Sequence, residues 1–402
     1  MSSGALENLV VLDLTRVLAG PYCTMLLADM GAEVIKIEIP QGGDDTRAYP
    51  PFRKNRDGEQ ESLYFANINR NKKGITLNLK SEEGKEIFRR LVKKADIVVE
   101  NYRPGVMDKL GLGYDALKEI NPRLIYGSVS GFGNTGPYRL RPGYDILAQA
   151  MGGLMAITGA AGGPPTRVGS AIGDLLGGLH LTICLLAAVN ARNLTGVGQR
   201  VDISLMDAVI AATENTAIKY LESGTIPPRM GNRYAAVSPY DAFQVKDGKI
   251  IIAAGNQHLY EKLCTEILHR PDMITDPRFT DMPGRLKNQD AIQEVIESTL
   301  ADKTMEEAVE LVLSKGIPAG PIYDISQILQ DPQVKEREMF VEMEHLTLGP
   351  ITVNGCAVKL SETMPGVRTP APALGQDDFE ILHKYCGLAQ EEVESLREQK
   401  VI

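Results

Sequence analysis

The chain has 402 residues, of which 43% are hydrophobic and 24% are charged, and its formal net charge is −9. This length predicts two or three domains, and the apolar content excludes a chain that is disordered throughout. The acidic balance argues against a nucleic-acid partner, and without a run of about 18 apolar residues no membrane span is expected. The N-terminal residues lack the basic and apolar regions of a signal peptide, so we expect a cytoplasmic protein.

The cysteines and histidines are not spaced as metal ligands. The five cysteines are far apart and form no CxxC pair, which disfavours a disulfide framework or a cysteine zinc site. The five histidines all lie at or after position 180, and no two stand at ligand spacing. We therefore expect no bound metal.

The first two hundred residues alternate between strand and helix patterns. Strands are predicted at 9–14, 34–38, 74–79, 97–100 and 124–129. Helices are predicted at 22–30, with Pro21 near its start, and after Ser81, which is a plausible cap. Because strands joined by crossover helices form parallel sheets, residues 1–200 predict a doubly wound, Rossmann-like α/β domain.

The second half of the chain has a different pattern. Residues 201–225 predict a linker, and residues 226–325 a smaller α+β domain. The smaller domain contains a hairpin pattern around Asp247-Gly248 and helical patterns near 257–269 and 287–314. Beyond it, strands are predicted at 347–350 and 351–360, and helix over 376–401.

Two features of the first domain bear on nucleotide binding. The turn from Thr15 to Pro21 lacks GxGxxG, so the glycines that let a pyrophosphate approach the backbone are missing and a nicotinamide or flavin cofactor is disfavoured. The stretch from Arg70 to Lys94 contains nine basic residues and only three acidic ones. This stretch indicates either a solvated helix face or a docking surface for a polyanionic small molecule.

A series of motifs along the chain carries more information than the composition. They are Leu18-Ala19-Gly20-Pro21, Asn71-Lys72-Lys73, Glu100–Gly105, Arg141-Pro142-Gly143-Tyr144-Asp145 and Gly173-Asp174-Leu175-Leu176. In this order they resemble the class III coenzyme A transferases, the family of formyl-CoA, carnitine and bile-acid CoA-transferases. The resemblance covers nearly the whole chain.

The resemblance implies an enzyme that moves CoA from an acyl-CoA donor to a carboxylic acid acceptor. By matching motif the nucleophile is Asp174, which would form first a mixed anhydride and then a thioester with CoA. The resemblance also implies an interlocked homodimer, a large domain completed by residues 326–402, and CoA as co-substrate. The implied CoA contacts are Val17, Leu77, Lys80, Asn101, Tyr102, Arg103, Lys109 and Tyr144.

Other interpretations stay open at this point. A racemase of the same family needs a histidine where this chain has Tyr144 and a glutamate near Asn256, so it is disfavoured. A non-catalytic CoA-binding protein and an acyl-CoA hydrolase are further alternatives. Taken alone, Asp174 would read as a helix N-cap. We expect glycines 173, 177 and 178 to leave room for the thioester, and Arg229 and Arg233 are candidates for binding a second carboxylate.

Overall fold

The computed structural model describes residues 4–402, which form two compact units. The larger unit contains the described residues up to Leu154, Arg167–Leu221 and Pro332–Ile402, and the smaller unit contains Met155–Thr166 and Glu222–Asp331. This division corrects the predicted linker at 201–225. Most of that stretch belongs to the larger unit, because it contains a strand of the main sheet and two helices.

The strands and helices follow one another along the whole chain. The strands are β1 (Val10–Asp13), β2 (Glu33–Glu38), β3 (Phe52–Lys54), β4 (Gln60–Ser62), β5 (Lys72–Thr76), β6 (Ile97–Glu100), β7 (Ile125–Ser130), β8 (Arg200–Ser204), β9 (Tyr240–Val245), β10 (Gly248–Ala253), β11 (Ala319–Pro321), β12 (Phe340–His345) and β13 (Gly349–Asn354). The helices are α1 (Ala19–Asp29), α2 (Leu63–Ile68), α3 (Glu82–Val92), α4 (Val106–Lys109), α5 (Tyr114–Ile120), α6 (Asp145–Met151), α7 (Leu154–Ile157), α8 (Ile172–Thr195), α9 (Leu205–Ala211), α10 (Thr216–Ser223), α11 (Gln257–Lys262), α12 (Asp272–Thr275), α13 (Met282–Lys287), α14 (Gln289–Leu300), α15 (Met305–Ser314), α16 (Ile325–Ile328), α17 (Pro332–Glu336), α18 (Asp378–Cys386) and α19 (Gln390–Glu398). A 3₁₀ turn lies at Asp45–Ala48, and a π-helical turn at Leu263–Ile267 follows α11 directly.

The larger unit is built on a six-stranded parallel sheet with the order β5-β2-β1-β6-β7-β8. Its central strands are apolar on both faces because two separate cores cover the sheet. One contains Phe88 and Leu91 of α3, and the other contains Leu27 of α1 and Leu185 of α8. The strand order reverses between β1 and β6, and in open α/β sheets ligands bind at the carboxyl ends of the strands at such a point.

Two strand predictions beyond residue 200 needed correction. β8 was missed, although its central Val201 and Ile203 alternate with polar residues as in an edge strand. The strands predicted at 347–350 and 351–360 are instead one hairpin of β12 and β13, in which residues 346–348 form the turn. Turn composition was misread there as strand, because Thr347 and Leu348 are apolar or β-branched.

The smaller unit consists of a three-stranded antiparallel sheet, β11-β10-β9, covered by helices. The hairpin predicted around Asp247-Gly248 is confirmed, since β9 and β10 pair from Val245 opposite Gly248 to Tyr240 opposite Ala253. Alternate residues of the hairpin, among them Phe243 and Ile250, are buried against α14 and α15.

The helix α8 is long and apolar enough to cross a membrane when judged by length and composition alone, although the sequence predicted no membrane span. Core helices of globular domains pass the same test. In this fold Leu181, Leu185 and Ala188 of α8 are buried against the sheet, and the helix packs along α1. The helix begins at Ile172, so Asp174 lies in its first turn and is not the N-cap.

Candidate active site

A cavity of about 290 Å³ opens in the larger unit at the carboxyl ends of β1, β6 and β7. Six of the nine site residues predicted from the sequence line it: Val17, Asn101, Tyr102, Arg103, Tyr144 and Asp174. They come from four separate stretches of sequence, which the parallel sheet brings together because its strands all end at the same edge. A wider groove of about 670 Å³ between α3 and α19 is lined by none of the predicted residues.

The other three predicted residues lie outside the cavity lining. The Leu77 side chain is buried in the hydrophobic core beneath α3 and is therefore a packing residue. Lys80 and Lys109 are exposed, the first before α3 and the second at the end of α4. They do not line this cavity, and their predicted contact with CoA stays a prediction.

Asp174 is half-buried on the first turn of α8, and its carboxyl group faces the cavity. Burial, followed by the negative charge of Asp145, raises the pKa of Asp174 to about 7. The buried Asp145 is fixed in place, because it accepts hydrogen bonds from the Gly173 N–H at 2.7 Å and the Gln149 side chain at 2.8 Å. The carboxyl of Asp174 is thus a titrating group near neutral pH, a property typical of catalytic carboxylates.

The glycines around Asp174 do not have the role expected from the sequence. A Cβ on Gly173 would come within 3.0 Å of Asp145, one on Gly177 within 2.4 Å of Leu205, and one on Gly178 within 2.6 Å of the α1 backbone. All three are buried. Their missing side chains therefore let α8 pack closely on its neighbours, and we correct the expectation that they make room for a thioester.

The turn after β1 has an unusual backbone at Val17. This residue has a φ of 68°, in the left-handed region that a β-branched residue rarely adopts. Its N–H donates to Asp44 at 3.2 Å, while the Asn101 side chain accepts from the Arg16 N–H at 2.9 Å and donates to the Arg16 carbonyl at 2.6 Å. These contacts hold the turn in a shape that would otherwise cost about 1–3 kcal/mol.

Beneath this turn lies a buried network of charges. The Lys36 ammonium group donates to Asp44 at 2.9 Å and to the Thr15 carbonyl at 2.9 Å, and the Lys72 ammonium group donates to Asp13 at 3.0 Å. Burial alone would raise the pKa of Asp13, but the charges of Lys72 and Lys36 hold it at about 2. The network is paired throughout, as buried charges require.

This network also accounts for part of the basic stretch from Arg70 to Lys94. Arg70 forms a buried ion pair with Asp29, and Lys72 pairs with Asp13 in the interior. On the surface, Lys85 pairs with Glu82 and Arg89 with Glu86. These four basic groups are therefore engaged inside the fold or along α3, whereas Lys80, Lys93 and Lys94 lie exposed on the surface.

On another side of the cavity, the segment after β7 packs against the segment before α6 through two glycines, Gly131 and Gly143. A Cβ on Gly131 would come within 2.5 Å of the Gly143 Cα, and one on Gly143 within 2.4 Å of the Gly131 Cα. This close backbone contact places the next residue, Tyr144, at the cavity rim, where its side chain is 69% exposed. Tyr144 is therefore not a core aromatic residue.

Several lining residues were not predicted from the sequence. The most polar of them are Arg16, Asp45, Ser130 and Arg141. Arg16 and Arg141 are next to or near predicted residues, and that proximity was the available signal. For Asp45 and Ser130 the sequence carried no such signal, because only the sheet order brings them to the cavity.

Groups outside the larger unit's cavity have structural partners of their own. In the smaller unit, Asn256 caps α11 by accepting from the Leu259 N–H at 2.9 Å. Arg229 donates to the Gly163 and Ala156 carbonyls, and Arg233 pairs with Asp241 and Asp290. Both arginines that the sequence offered for a second carboxylate are thus already engaged. Within residues 4–402 no cluster of three or more His, Cys, Asp or Glu could hold a metal ion.

Comparisons with known proteins identify the family of this chain. The family model of CoA-transferase family III matches residues 6–378. The chain is 41% identical to an acetyl-CoA:oxalate CoA-transferase of Acetobacter aceti over 95% of this chain and 96% of that protein. It is 42% identical to a succinyl-CoA:mesaconate CoA-transferase of Haloarcula hispanica, covering 94% of this chain and 96% of that one.

A human relative and a solved structure extend the comparison. The succinyl-CoA:glutarate CoA-transferase of Homo sapiens is 39% identical over 94% of this chain and 85% of its own length. The crystal structure of a CAIB/BAIF family protein from Brucella suis superposes with a TM-score of 0.85 at 37% identity, covering 96% of this chain and all of that one. The resemblance noted from the motifs is thereby confirmed: the chain belongs to CoA-transferase family III and is an enzyme of the transferase class.

Proposed function

We propose that this enzyme moves CoA from an acyl-CoA to a free dicarboxylic acid, with Asp174 as the nucleophile. The observation that carries the proposal is the place of Asp174, on the same cavity as the residues expected to contact CoA. The relatives named for oxalate, mesaconate and glutarate support a dicarboxylic acceptor, because all three acids carry two carboxyl groups.

The proposed reaction needs no further reactant. A carboxylate oxygen of Asp174 attacks the thioester carbon, the C–S bond breaks, and a mixed anhydride and CoA thiolate result. The thiolate then attacks the Asp174 carboxyl carbon, which releases the donor acid and leaves a thioester between Asp174 and CoA. The acceptor carboxylate attacks this thioester and expels the thiolate, which finally attacks the new acyl carbon and restores Asp174.

The electrostatics of Asp174 support this role. A partly desolvated carboxylate with a pKa of about 7 is more basic than an ordinary aspartate, and so a better nucleophile once ionised. The same property sets a condition on the reaction. The first step requires the ionised carboxylate, so activity is expected to decline as the pH falls below about 7.

We further propose a cytoplasmic homodimer with interlocked chains. Large apolar side chains of α8 and α10 are exposed, among them Ile183 at 63%, Leu194 at 81% and Leu221 at 77%. A second copy of the chain would cover such side chains, which single soluble domains rarely expose together. All five cysteines are free thiols, in keeping with a reducing compartment.

The test is a search for the covalent intermediate. The protein is incubated with succinyl-CoA, acetyl-CoA or a branched acyl-CoA, trapped with hydroxylamine or borohydride, and analysed by intact and peptide mass. We expect a mark on the Asp174 peptide, its loss in Asp174→Ala, and its retention in Asp115→Ala, which alters an exposed aspartate on α5. Undiminished transfer by Asp174→Ala would refute the assignment.

The same preparation separates the alternatives. Release of free CoA without an acceptor would indicate a hydrolase. Uptake of deuterium at the α-carbon of an acyl-CoA would indicate a racemase. For the quaternary structure, light scattering after size-exclusion chromatography should give twice the 43.8 kDa mass of one chain, and a monomer would contradict the homodimer.

A further inference from the structure

Two buried polar atoms at the active-site cavity have no hydrogen-bond partner within residues 4–402. They are Arg16 Nε and Ser130 Oγ, and both residues line the cavity that contains Asp174. The third atom of this kind, Arg192 Nε, belongs to a residue outside the lining. Buried polar groups in proteins are nearly always paired, and a donor left unpaired costs about 1–3 kcal/mol. Two such atoms at one cavity therefore indicate a ligand that accepts hydrogen bonds.

Arg16 is held rigidly enough to act as a binding group. Its backbone N–H and carbonyl are both bonded to the Asn101 side chain, and one amino nitrogen of its guanidinium pairs with Asp45 at 2.6 Å. These contacts restrain Arg16 and leave its buried Nε without a hydrogen-bond partner. A fixed guanidinium with an open N–H is suited to a carboxylate, which it binds through charge-assisted hydrogen bonds.

Ser130 lines the same cavity from the end of another strand, β7. It is the last residue of β7, directly before the contact between Gly131 and Gly143. Its hydroxyl can donate to a carboxylate oxygen as well as accept. Arg16 follows β1 and Ser130 ends β7, with β6 between them, so the two side chains reach the cavity from strands on either side of β6.

We propose that Arg16 and Ser130 bind the second carboxylate of the acyl group, the one that does not react, and thereby select dicarboxylic over monocarboxylic substrates. The proposal rests on the proposed function, since it assumes that acyl groups are transferred at Asp174. It assigns a role to two residues that motif matching did not single out, and it replaces Arg229 and Arg233, whose guanidinium groups are engaged in the smaller unit.

The charges around the cavity fit this assignment. Three arginines line it, Arg16, Arg103 and Arg141, against the two acids Asp45 and Asp174. When Asp174 is converted to an anhydride or a thioester, its negative charge disappears. The cavity therefore becomes more positive at the step in which an anionic acceptor must enter. Arg103 and Arg141 are more exposed than the Nε atom of Arg16 and are left for the phosphates of CoA.

The experiment compares acceptors of equal chain length, glutarate and pentanoate, at a saturating acyl-CoA concentration. In a two-step exchange the kcat/KM for the acceptor reports only on the second half-reaction, so the donor does not affect the comparison. We expect Arg16→Gln to lower kcat/KM for glutarate by about 10- to 100-fold, because a charge-assisted hydrogen bond is lost. The kcat/KM for pentanoate should change by less than about threefold.

Further variants make the test specific. Ser130→Ala should lower kcat/KM for glutarate by about 3- to 10-fold with little effect on pentanoate, as expected for a neutral hydrogen bond. Arg16→Lys keeps the positive charge but loses the paired N–H groups of the guanidinium. Its kcat/KM for glutarate should lie between those of the wild type and Arg16→Gln, which tests the proposal if the glutamine variant folds poorly. Arg278→Gln, which alters an exposed arginine of the smaller unit, should leave both acceptors unchanged.

Equal losses for both acceptors in Arg16→Gln, or no loss for glutarate, would overturn the proposal while leaving the transferase function intact. Failure of the proposed function has a different signature. In that case the wild-type enzyme would pass CoA to neither acid, and the Asp174 peptide would carry no covalent mark.

Discussion

The carboxylate of Asp145 accepts a hydrogen bond from the backbone N–H of Gly173 at 2.7 Å. The negative charge of Asp145 also helps to raise the pKa of Asp174, the residue that follows Gly173. A single buried acid thus fastens the start of α8 and adjusts the basicity of the group on that helix that we propose to react. The two effects have separable consequences, because an asparagine at position 145 keeps a hydrogen-bond acceptor and loses the charge.

The first prediction follows from that separation. In Asp145→Asn the pKa of Asp174 should fall, since burial still raises it but the neighbouring negative charge is gone. The acidic limb of the pH dependence of kcat/KM for the acyl-CoA should therefore move to lower pH, by about one pH unit. Asp207→Asn, at an exposed aspartate of α9, is the matched control and should leave the limb in place. An unmoved limb in Asp145→Asn would show that burial alone sets this pKa.

The second prediction concerns stability. Asp174 has a folded-state pKa of about 7 against an ordinary value of 3.8, so the folded state binds the proton more tightly than the unfolded state. Its contribution to stability therefore declines as the pH rises from about 4 to about 7, and ionised Asp174 opposes folding above that range.

Asp174→Asn removes this penalty. The variant should be more stable than wild type at pH 8 by about 1–3 kcal/mol, a value reduced for solvent screening of a half-buried group. The difference should shrink towards pH 4, where the carboxyl is protonated in both states. Urea denaturation at the two pH values measures it. A variant less stable at pH 8 would contradict the cost assigned to the ionised carboxylate.

The third prediction concerns the buried charges under the first turn. Lys36→Met removes the donor to Asp44 and to the Thr15 carbonyl, and leaves a buried carboxylate without its main partner. We expect the free energy of unfolding to fall by about 3–5 kcal/mol. Lys118→Met, at an exposed lysine of α5 without an ion pair among the described residues, should change it by less than about 0.5 kcal/mol.

The same variant should also weaken binding of the acyl-CoA. Asp44 accepts from the Val17 N–H, and this contact is one of those that hold the left-handed backbone at Val17. In calorimetric titrations under conditions where Lys36→Met is folded, the dissociation constant for CoA should rise by about tenfold or more. An unchanged dissociation constant would mean that this turn does not depend on the charges beneath it.

The fourth prediction tests the glycine contact at the cavity rim. Gly143→Ala places a methyl group against the Gly131 backbone, where no flexible side chain can yield. The segment that carries Tyr144 and Asp145 must therefore shift, and we expect kcat/KM to fall by about 10- to 100-fold because reacting groups lose their alignment. Gly366→Ala is the matched control, because a Cβ there meets no atom within 4 Å and the backbone is not in the left-handed region, and it should leave activity unchanged. Full activity in Gly143→Ala would show that the rim tolerates displacement.

Much of this protein could be predicted from its sequence because the relevant signals are local. Runs of apolar residues predicted β1, β2, β6 and β7, since strands buried on both faces are mostly apolar. Ser81 was correctly predicted as a cap, and its hydroxyl accepts from the Gly84 N–H at 3.0 Å. The motif around Asp174 indicated the family, which the comparisons confirm.

Other features depended on contacts between distant parts of the chain, and only the tertiary structure decided them. The edge strand β8 was missed because its pairing with β7 is invisible in a short polar segment. The glycines 173, 177 and 178 suggested substrate access, and their actual neighbours are other helices and Asp145. Arg16 and Ser130, each with an unpaired buried atom, line one cavity because β1 and β7 end at the same edge of the sheet. Sequence determines which groups are present, whereas desolvation, charge proximity and missing partners arise only when the folded chain brings them together.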